Sequence, residues 1–352
     1  MDQIKLNVRE SFTPNPVFID GLSRCGKAAV GVAVSSFERV EHVTNRFIFD
    51  QIQTYVEHGW MTKDAFKEQL ITEVDMELYH GILGRNLNWN KHDWSSVANS
   101  RNPEVYRQRL STKDNKVNAA IIFDFIRKSR AIALNTTEEM LFFYDLYDEC
   151  FRKRNKTIVV LRHPIELVFS WHRTERATRF GTDPRFLHPT FLYLGNPLPL
   201  DAVSYSESYM ESSALLRIIL LLKSKIKKYI KEISNLSQDQ RQRTFIIGFD
   251  DFAVNTSSYL TDLEDFIGTT KTDKTKEMCD NQRLPREQNV SDLKNKLLAI
   301  KHHLSPLEFD DFCEFCVTYE SNFKSNISIR SLLLTDLSGP KYSDFNYGKR
   351  IN

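Results

Sequence analysis

The chain has 352 residues, 41% hydrophobic and 27% charged, enough for the core of one large domain or of one domain with insertions. Its 48 Lys and Arg nearly balance 46 Asp and Glu, and a formal charge of +2 argues against a nucleic-acid coat or a polybasic membrane anchor, so phosphate recognition has to be local. The five scattered cysteines (Cys25, Cys150, Cys279, Cys313, Cys316) form no disulfide framework and the N-terminal MDQIKLNVRESF lacks the apolar run of a signal peptide, so a cytoplasmic protein is expected.

Val17 to Asp20 reads as a short buried strand that runs through a glycine turn into a helix from Lys27 to Phe37. The turn nearly spells the nucleotide loop G-x-x-x-x-G-K-[ST], with Gly21, Gly26 and Lys27 in place, but Ala28 stands where a magnesium-binding hydroxyl belongs. Loop N–H groups and a helix N-terminus converge on one point in such a turn and favour a phosphate, to which Arg24 and Lys27 add charge; a glycine turn with no ligand is the alternative. Helical periodicity over Thr62 to Leu83 and Lys113 to Arg130 marks a helical insertion at about 44–130. AIAL (131–134) reads as a strand, and Thr136 with Glu139 as a capping box that opens the helix EEMLFFYDLYDECF.

TIVVL (157–161) is a second clear strand, with Pro164 at a first helical position. Residues 174–205 hold Gly, Pro and aromatic side chains without periodicity, the character of a lid or an acceptor loop. ALLRIILLL, roughly half of a bilayer span and carrying Arg217, continues into KSKIKKYIKEI and reads as a buried helix with a basic solvated end, so no membrane insertion is expected. TFIIGF (244–249) is a third strand; the helix SSYLTDLEDFIG follows, with Gly268 as its C-terminal cap. Cys313 and Cys316 sit in an amphipathic helical pattern with no second ligand pair, which favours core or helix-face cysteines over zinc. From Ser325 the pattern is that of an irregular tail. Apolar strands alternating with helices indicate an α/β fold, a central, mainly parallel sheet flanked by helices, expected as a single domain over 1–352.

In TIVVLRHPIELVFSWHR, Arg162 ends a buried strand and Ser170 follows eight residues later on the next helix, a pair suited to gripping a second phosphate at the crevice edge of a parallel sheet. The alternative is an arginine paired with a neighbouring carboxylate. Taken together, the motifs resemble the sulfotransferase family. GLSRCGKAAV is similar to its loop G-x-x-[RK]-S-G-T-[TS], VVLRHPIELVFS to its element R-[DHN]-P-x5-S with Arg162, Pro164 and Ser170 in register, and TFIIGFDDFAVNTSSYLTDLEDFIG to its later strand, acidic turn and helix.

The resemblance implies 3′-phosphoadenosine 5′-phosphosulfate (PAPS) as sulfuryl donor and 3′-phosphoadenosine 5′-phosphate (PAP) as product, with no metal. That removes the need for a hydroxyl at Ala28, which a kinase or ATPase requires. It implies that Ser23, Arg24, Cys25, Gly26, Lys27 and Ala28 surround the 5′-phosphosulfate, that Arg162 and Ser170 take the 3′-phosphate, and that Arg283 belongs to a basic segment returning to the nucleotide. The loop departs from the family's in Cys25, Lys27 and Ala28, so Lys27 and backbone amides have to replace missing hydroxyls. Arg24 is implied as the catalytic cation and Glu41 or His42 as the acceptor's base; on an alternating strand only one of the two faces the site.

ALNTTEEM carries no histidine where the family's cytosolic small-molecule branch has one, which favours the carbohydrate, protein-tyrosine and bacterial branches. The expected acceptor is a hydroxyl of a carbohydrate or specialised metabolite, stacked on Phe186, His188, Phe191 and Tyr193, with Trp171 and His172 just before them. A P-loop kinase with FIIGFDD as its acidic magnesium strand, and a non-catalytic nucleotide-binding protein, stay open beside this reading.

Overall fold

A computed structural model describes residues 6–183, 186 and 188–334. In chain order the elements are β1 Asn15–Asp20, α1 Lys27–Val34, β2 Thr44–Asn45, α2 Phe47–Glu57, α3 Lys63–Leu83, α4 Pro103–Arg109, α5 Lys116–Ser129 and β3 Ile132–Thr136. There follow α6 Tyr144–Phe151, β4 Lys156–Leu161, α7 Pro164–Arg173, β5 Thr190–Tyr193, β6 Asn196–Pro199, α8 Ser206–Glu211, α9 Ala214–Asn235 and α10 Gln238–Gln242. The remainder are β7 Thr244–Gly248, α11 Phe249–Val254, α12 Thr256–Ile267, α13 Thr275–Asn281, α14 Val290–His302, α15 Pro306–Asn322 and α16 Ile329–Leu334. The described residues fall into two compact units, one made of those within 6–160, 236–247 and 255–286, the other of those within 161–235, 248–254 and 287–334.

The first unit carries a mainly parallel sheet in the order β2-β3-β1-β4-β7. β1 pairs in parallel with both β3 (Ile19 opposite Thr136) and β4 (Asp20 opposite Val159), so the expected strands at 17–20, 157–161 and 244–248 share one sheet. Burial on both faces explains their unbroken apolar runs. One face is covered by α2, α3, α5 and α6, where Phe18 of β1 meets Tyr147 edge-on at 5.0 Å among Phe49, Phe66, Ile71, Val74 and Phe151. The helices expected at 44–130 supply most of that cover. On β1's other side α1 packs with α12 and α13.

The structure departs from the sequence pattern at several boundaries. α1 stops at Val34, and α5 is shorter at both ends than the periodicity suggested. β3 extends to Thr136, and the expected Thr136–Glu139 capping box does not form. The Thr136 hydroxyl instead donates to the Thr44 carbonyl (3.1 Å) and to Asn45 Oδ1 (3.0 Å), while Glu139 takes a left-handed φ of 66°. A short 3-10 turn at Met140–Phe143 comes before α6, and Asp20, from the end of β1, caps it by accepting the N–H groups of Met140 (2.9 Å) and Leu141 (3.2 Å). A tertiary carboxylate thus does what the local threonine was expected to do.

In the second unit α7 packs on α9, α14 and α15. The apolar stretch from Leu215 forms the buried face of α9, and Lys223 and Lys225 on its basic part pair with Asp311 and Asp201. Within 174–205, expected as an irregular loop, β5 and β6 form an antiparallel hairpin. Cys313 and Cys316 are free thiols on α15, Cys316 fully buried. Past Ser325 the chain forms α16; the rest of the expected tail, beyond 334, lies outside the described residues.

What fixes the entry to β1 is one buried carboxylate. Asp75 of α3, fully shielded, accepts from the Ser11 hydroxyl (2.7 Å), the Thr13 hydroxyl (2.6 Å) and the N–H groups of Phe12 (3.2 Å) and Thr13 (3.1 Å), and pairs with Arg9 (2.5 Å). Asp75→Ala strands those donors and is expected to cost about 3–5 kcal/mol in urea unfolding, the range for breaking a buried charged network. Ser11→Ala removes a single partner and should cost about 1 kcal/mol.

Candidate functional site

The turn from β1 into α1 is shaped by two glycines. Gly21 has φ 146°, and a Cβ there would lie 2.2 Å from the Val160 carbonyl oxygen of β4, so no other residue fits. Gly26 is the N-cap of α1 with φ 104° and has no side chain to cap the helix. The first-turn N–H groups of a helix lack intrahelical acceptors; here the Cys25 sulfur takes a hydrogen bond from the Lys27 N–H. Arg24, also left-handed at φ 68°, is exposed, and Ser23 and Ala28 are partly so. Cys25 turns inward: it is 1% exposed, its N–H donates to the Leu22 carbonyl (3.1 Å), and burial pushes its thiol up to about 11.

Lys27 does not hang free as a phosphate ligand. Its ammonium donates to the carbonyls of Gly21 (2.9 Å) and Thr137 (2.8 Å) and pairs with Glu138 Oε1 at 3.3 Å, so all three of its protons have acceptors within the protein. Burial opposes its charge, but the carboxylates of Glu138, Asp50 and Asp20 outweigh that and raise its pKa. Asp20 and Asp50 are themselves raised, mainly by burial; Asp50 accepts the Glu138 N–H at 2.8 Å. The lysine therefore ties the loop to the end of β3 through a buried group of carboxylates. Sequence reasoning missed Glu138 and Asp50 because they reach the loop only through strand order and helix packing. The one sequence signal was the position of Glu138 just past the C-terminal end of a parallel strand.

The two expected base residues lie between Val40 and β2 in irregular chain, where only Val40 is bridged to β3. Both oxygens of Glu41 are held: Arg109 forms a fork with it (2.7 and 3.0 Å), and the Tyr106 hydroxyl donates to it at 2.9 Å. His42 is buried, its Nδ1 meets the Ser35 hydroxyl at 3.3 Å, and its N–H donates to Tyr106 Oη at 3.0 Å. Burial lowers its pKa to about 4, so the ring is neutral at pH 7. Arg283 is exposed on a left-handed turn after α13.

In the second unit, His163 caps α7: its Nδ1 accepts the Ile165 N–H (3.3 Å) and its Nε2 lies 3.0 Å from Glu320, so the ring proton sits on Nε2. Arg162, just before it, pairs with Glu166 one turn into α7 (2.6 Å) and approaches Asp250 (3.7 Å). Lys296 of α14 takes the other oxygen of Glu166 at 2.7 Å. Lys296 also pairs with Asp292 at 2.6 Å, so Arg162 and Lys296 share three carboxylates, with Ser170 buried on the same helix as Glu166. Asp251 pairs with Lys324 at 2.9 Å, so both carboxylates of the would-be magnesium strand are already matched by cations.

Of the residues expected to stack an acceptor, Trp171 is only 1% exposed, packed under Arg176 (4.4 Å), and His172 is buried with a lowered pKa; neither offers a platform. Phe186, His188, Phe191 and Tyr193 keep partly exposed rings.

Among the described residues no group of three His, Cys, Asp or Glu side chains gathers to hold a metal, and no helix is long and apolar enough to cross a membrane. No protein-family model and no curated protein matches the chain. Its backbone is similar to the sulfotransferase domain of the olefin synthase from Synechococcus PCC 7002, at TM-score 0.41 and 13% identity, covering 92% of this chain and all 100% of that one. It is also similar to the sulfotransferase STF9 from Mycobacterium avium, at TM-score 0.43 and 9% identity over 90% of this chain and 78% of that one. A sulfotransferase domain from the curacin biosynthetic pathway matches at TM-score 0.40 and 10% identity over 74% of this chain and 76% of that one. At these identities the likeness concerns the course of the backbone alone.

The buried His42 makes a pH test of this region. Above its unfolded value near 6.5 the ring is neutral in both states, and its contribution is constant. As pH falls from there towards about 4, the unfolded chain takes up a proton that the folded chain refuses, and stability drops by up to about 3 kcal/mol. Urea unfolding at pH 7, 6 and 5 should show this loss in the wild type and a flatter profile in His42→Gln.

Proposed function

We propose that the chain transfers a sulfuryl group from PAPS to a hydroxyl of a small-molecule or carbohydrate acceptor. The observation that carries this reading is the strand order. β1 and β4 lie side by side and parallel, β1 runs directly into the glycine loop, and β4 runs directly into the Arg162 element. Adjacent parallel strands whose C-terminal ends each lead into a phosphate motif suit a nucleotide with phosphates at both ends.

In this reading the N–H groups at the start of α1 and the exposed Arg24 take the 5′-phosphosulfate, and Arg24 offsets charge on the leaving phosphate. Lys27 acts through its charge and by holding the loop. Arg162 and Ser170 take the 3′-phosphate, Arg162 leaving Glu166 to do so while Lys296 keeps that carboxylate neutralised. For the acceptor's proton we put Glu138, beside the loop lysine, ahead of Glu41 and His42. Glu41 would first have to leave Arg109 and Tyr106, and the His42 ring is too weakly basic. Ala28 lacks the hydroxyl that a magnesium-dependent kinase requires, which sets that alternative behind.

Calorimetry with PAP tests the donor site. Arg162→Ala should lose roughly 2–5 kcal/mol of PAP binding, with a much smaller loss for adenosine 5′-phosphosulfate, which has no 3′-phosphate. Glu166→Gln removes the carboxylate that competes for Arg162 and should tighten PAP binding, since like charges side by side cost up to several kcal/mol. Equal losses for both nucleotides would remove the 3′-phosphate assignment. Turnover with labelled PAPS and a panel of acceptors, without added magnesium, tests the chemistry. Glu138→Gln should cut it about 10²–10⁴-fold with PAP affinity nearly unchanged, and unchanged turnover would return the role to Glu41 or His42.

A further inference from the structure

A second anion-binding place is built into the opposite end of the sheet. β1, β3 and β4 begin at a pocket of about 210 Å³ lined by Arg39, Arg130, Arg154 and Lys156, together with Asn15 and Gly268. β1's six residues, roughly 20 Å of strand, separate it from the glycine loop. Among the described residues none of the four cations pairs with a carboxylate.

What they do contact is helix C-termini. Arg39 donates to the carbonyls of Arg130 (3.5 Å) and Gly268 (2.5 Å), at the ends of α5 and α12. Arg154 donates to Phe151 at the end of α6 (3.0 Å) and to Thr13 and Ser11 (3.0 Å each). Lys156 donates to Phe266 and Ile267 of α12 (3.4 Å to the latter). Capping alone does not account for the set. Each helix end carries about half a negative charge, so three of them offset ~1.5 of four positive charges and leave a surplus of more than two. Arg130, exposed, has no side-chain partner among the described residues, and Lys156 still has a proton to give. The pKa of Lys156 is lowered by burial with no anion to counter it.

We propose that this pocket binds a tetrahedral dianion, either inorganic phosphate or sulfate or the phosphate end of a small phosphoester. The surplus charge matches a dianion, Arg130 and Lys156, which keep spare donors, line the pocket, and the volume admits one such group with bridging water.

Calorimetric titration with inorganic phosphate, at ionic strength held constant with chloride, tests this in an Arg24→Ala background that weakens anion binding at the glycine loop. One saturable phosphate per chain is expected. Arg130→Gln, at an exposed side chain without partners, leaves the fold intact and should weaken binding roughly tenfold, the effect of one charge-assisted hydrogen bond. Arg39→Gln combined with Lys156→Met should abolish it. Adenosine 5′-monophosphate competing more tightly than phosphate identifies a phosphoester as the ligand, and equal or weaker competition identifies the inorganic ion. Phosphate heat no larger than that of chloride, or Arg130→Gln and Lys156→Met both binding as the parent does, overturns the proposal.

Discussion

A lysine with three protons and three internal acceptors governs the loop. Lys27 joins the Gly21 carbonyl to the Thr137 carbonyl and to Glu138, and so fastens the turn after β1 to the end of β3. It is also the counter-charge for a buried group of carboxylates that would otherwise repel one another at low dielectric. Asp20 completes the arrangement by capping the 3-10 turn before α6 through the Met140 and Leu141 N–H groups and by accepting the Thr137 hydroxyl at 3.1 Å. The shape of the loop is thus set by charges inside the protein before any ligand arrives, which lowers the ordering cost of binding.

The Arg162 group in the second unit follows the same logic. Arg162 is held by Glu166 and Asp250, and Glu166 is held at its other oxygen by Lys296, which Asp292 also contacts, so under the proposed function a phosphate would gain Arg162 by exchange with Glu166. In that reading the exchange gives discrimination rather than raw attraction, because a ligand without a phosphate cannot replace the carboxylate on Arg162. It also accords with a chain whose total charge is close to zero. The pocket at the N-terminal edge of the sheet differs, since its positive charge is left uncompensated by carboxylates.

Much of this was present in the residue order. The apolar strand at β1, the glycines flanking a basic turn, and the strand, arginine, proline and serine of the Arg162 element are local patterns, because strand burial, a left-handed turn and a helix start each depend on a few consecutive residues. Gly268 closed α12 with φ 80° for the same reason. Where a local rule had a tertiary competitor it lost. Thr136 had the spacing of a cap, but as the last residue of β3 its hydroxyl was taken by β2, and the cap came from Asp20, distant in sequence.

The sequence by itself determined which residue types stand in the glycine loop and in the Arg162 element, and that position 28 carries no hydroxyl. Only the tertiary structure decided what those residues are free to do. Lys27, expected at the phosphosulfate, donates to two carbonyls and pairs with Glu138; Glu41, expected as a base, is held by Arg109 and Tyr106; and Trp171, expected beside the acceptor, is buried. The partners Thr137 and Glu138 of Lys27, and Tyr106 and Arg109 of Glu41, lie tens of residues away. Pairing between charges and burial of a ring are fixed by strand order and helix packing, and no local pattern of residues encodes them.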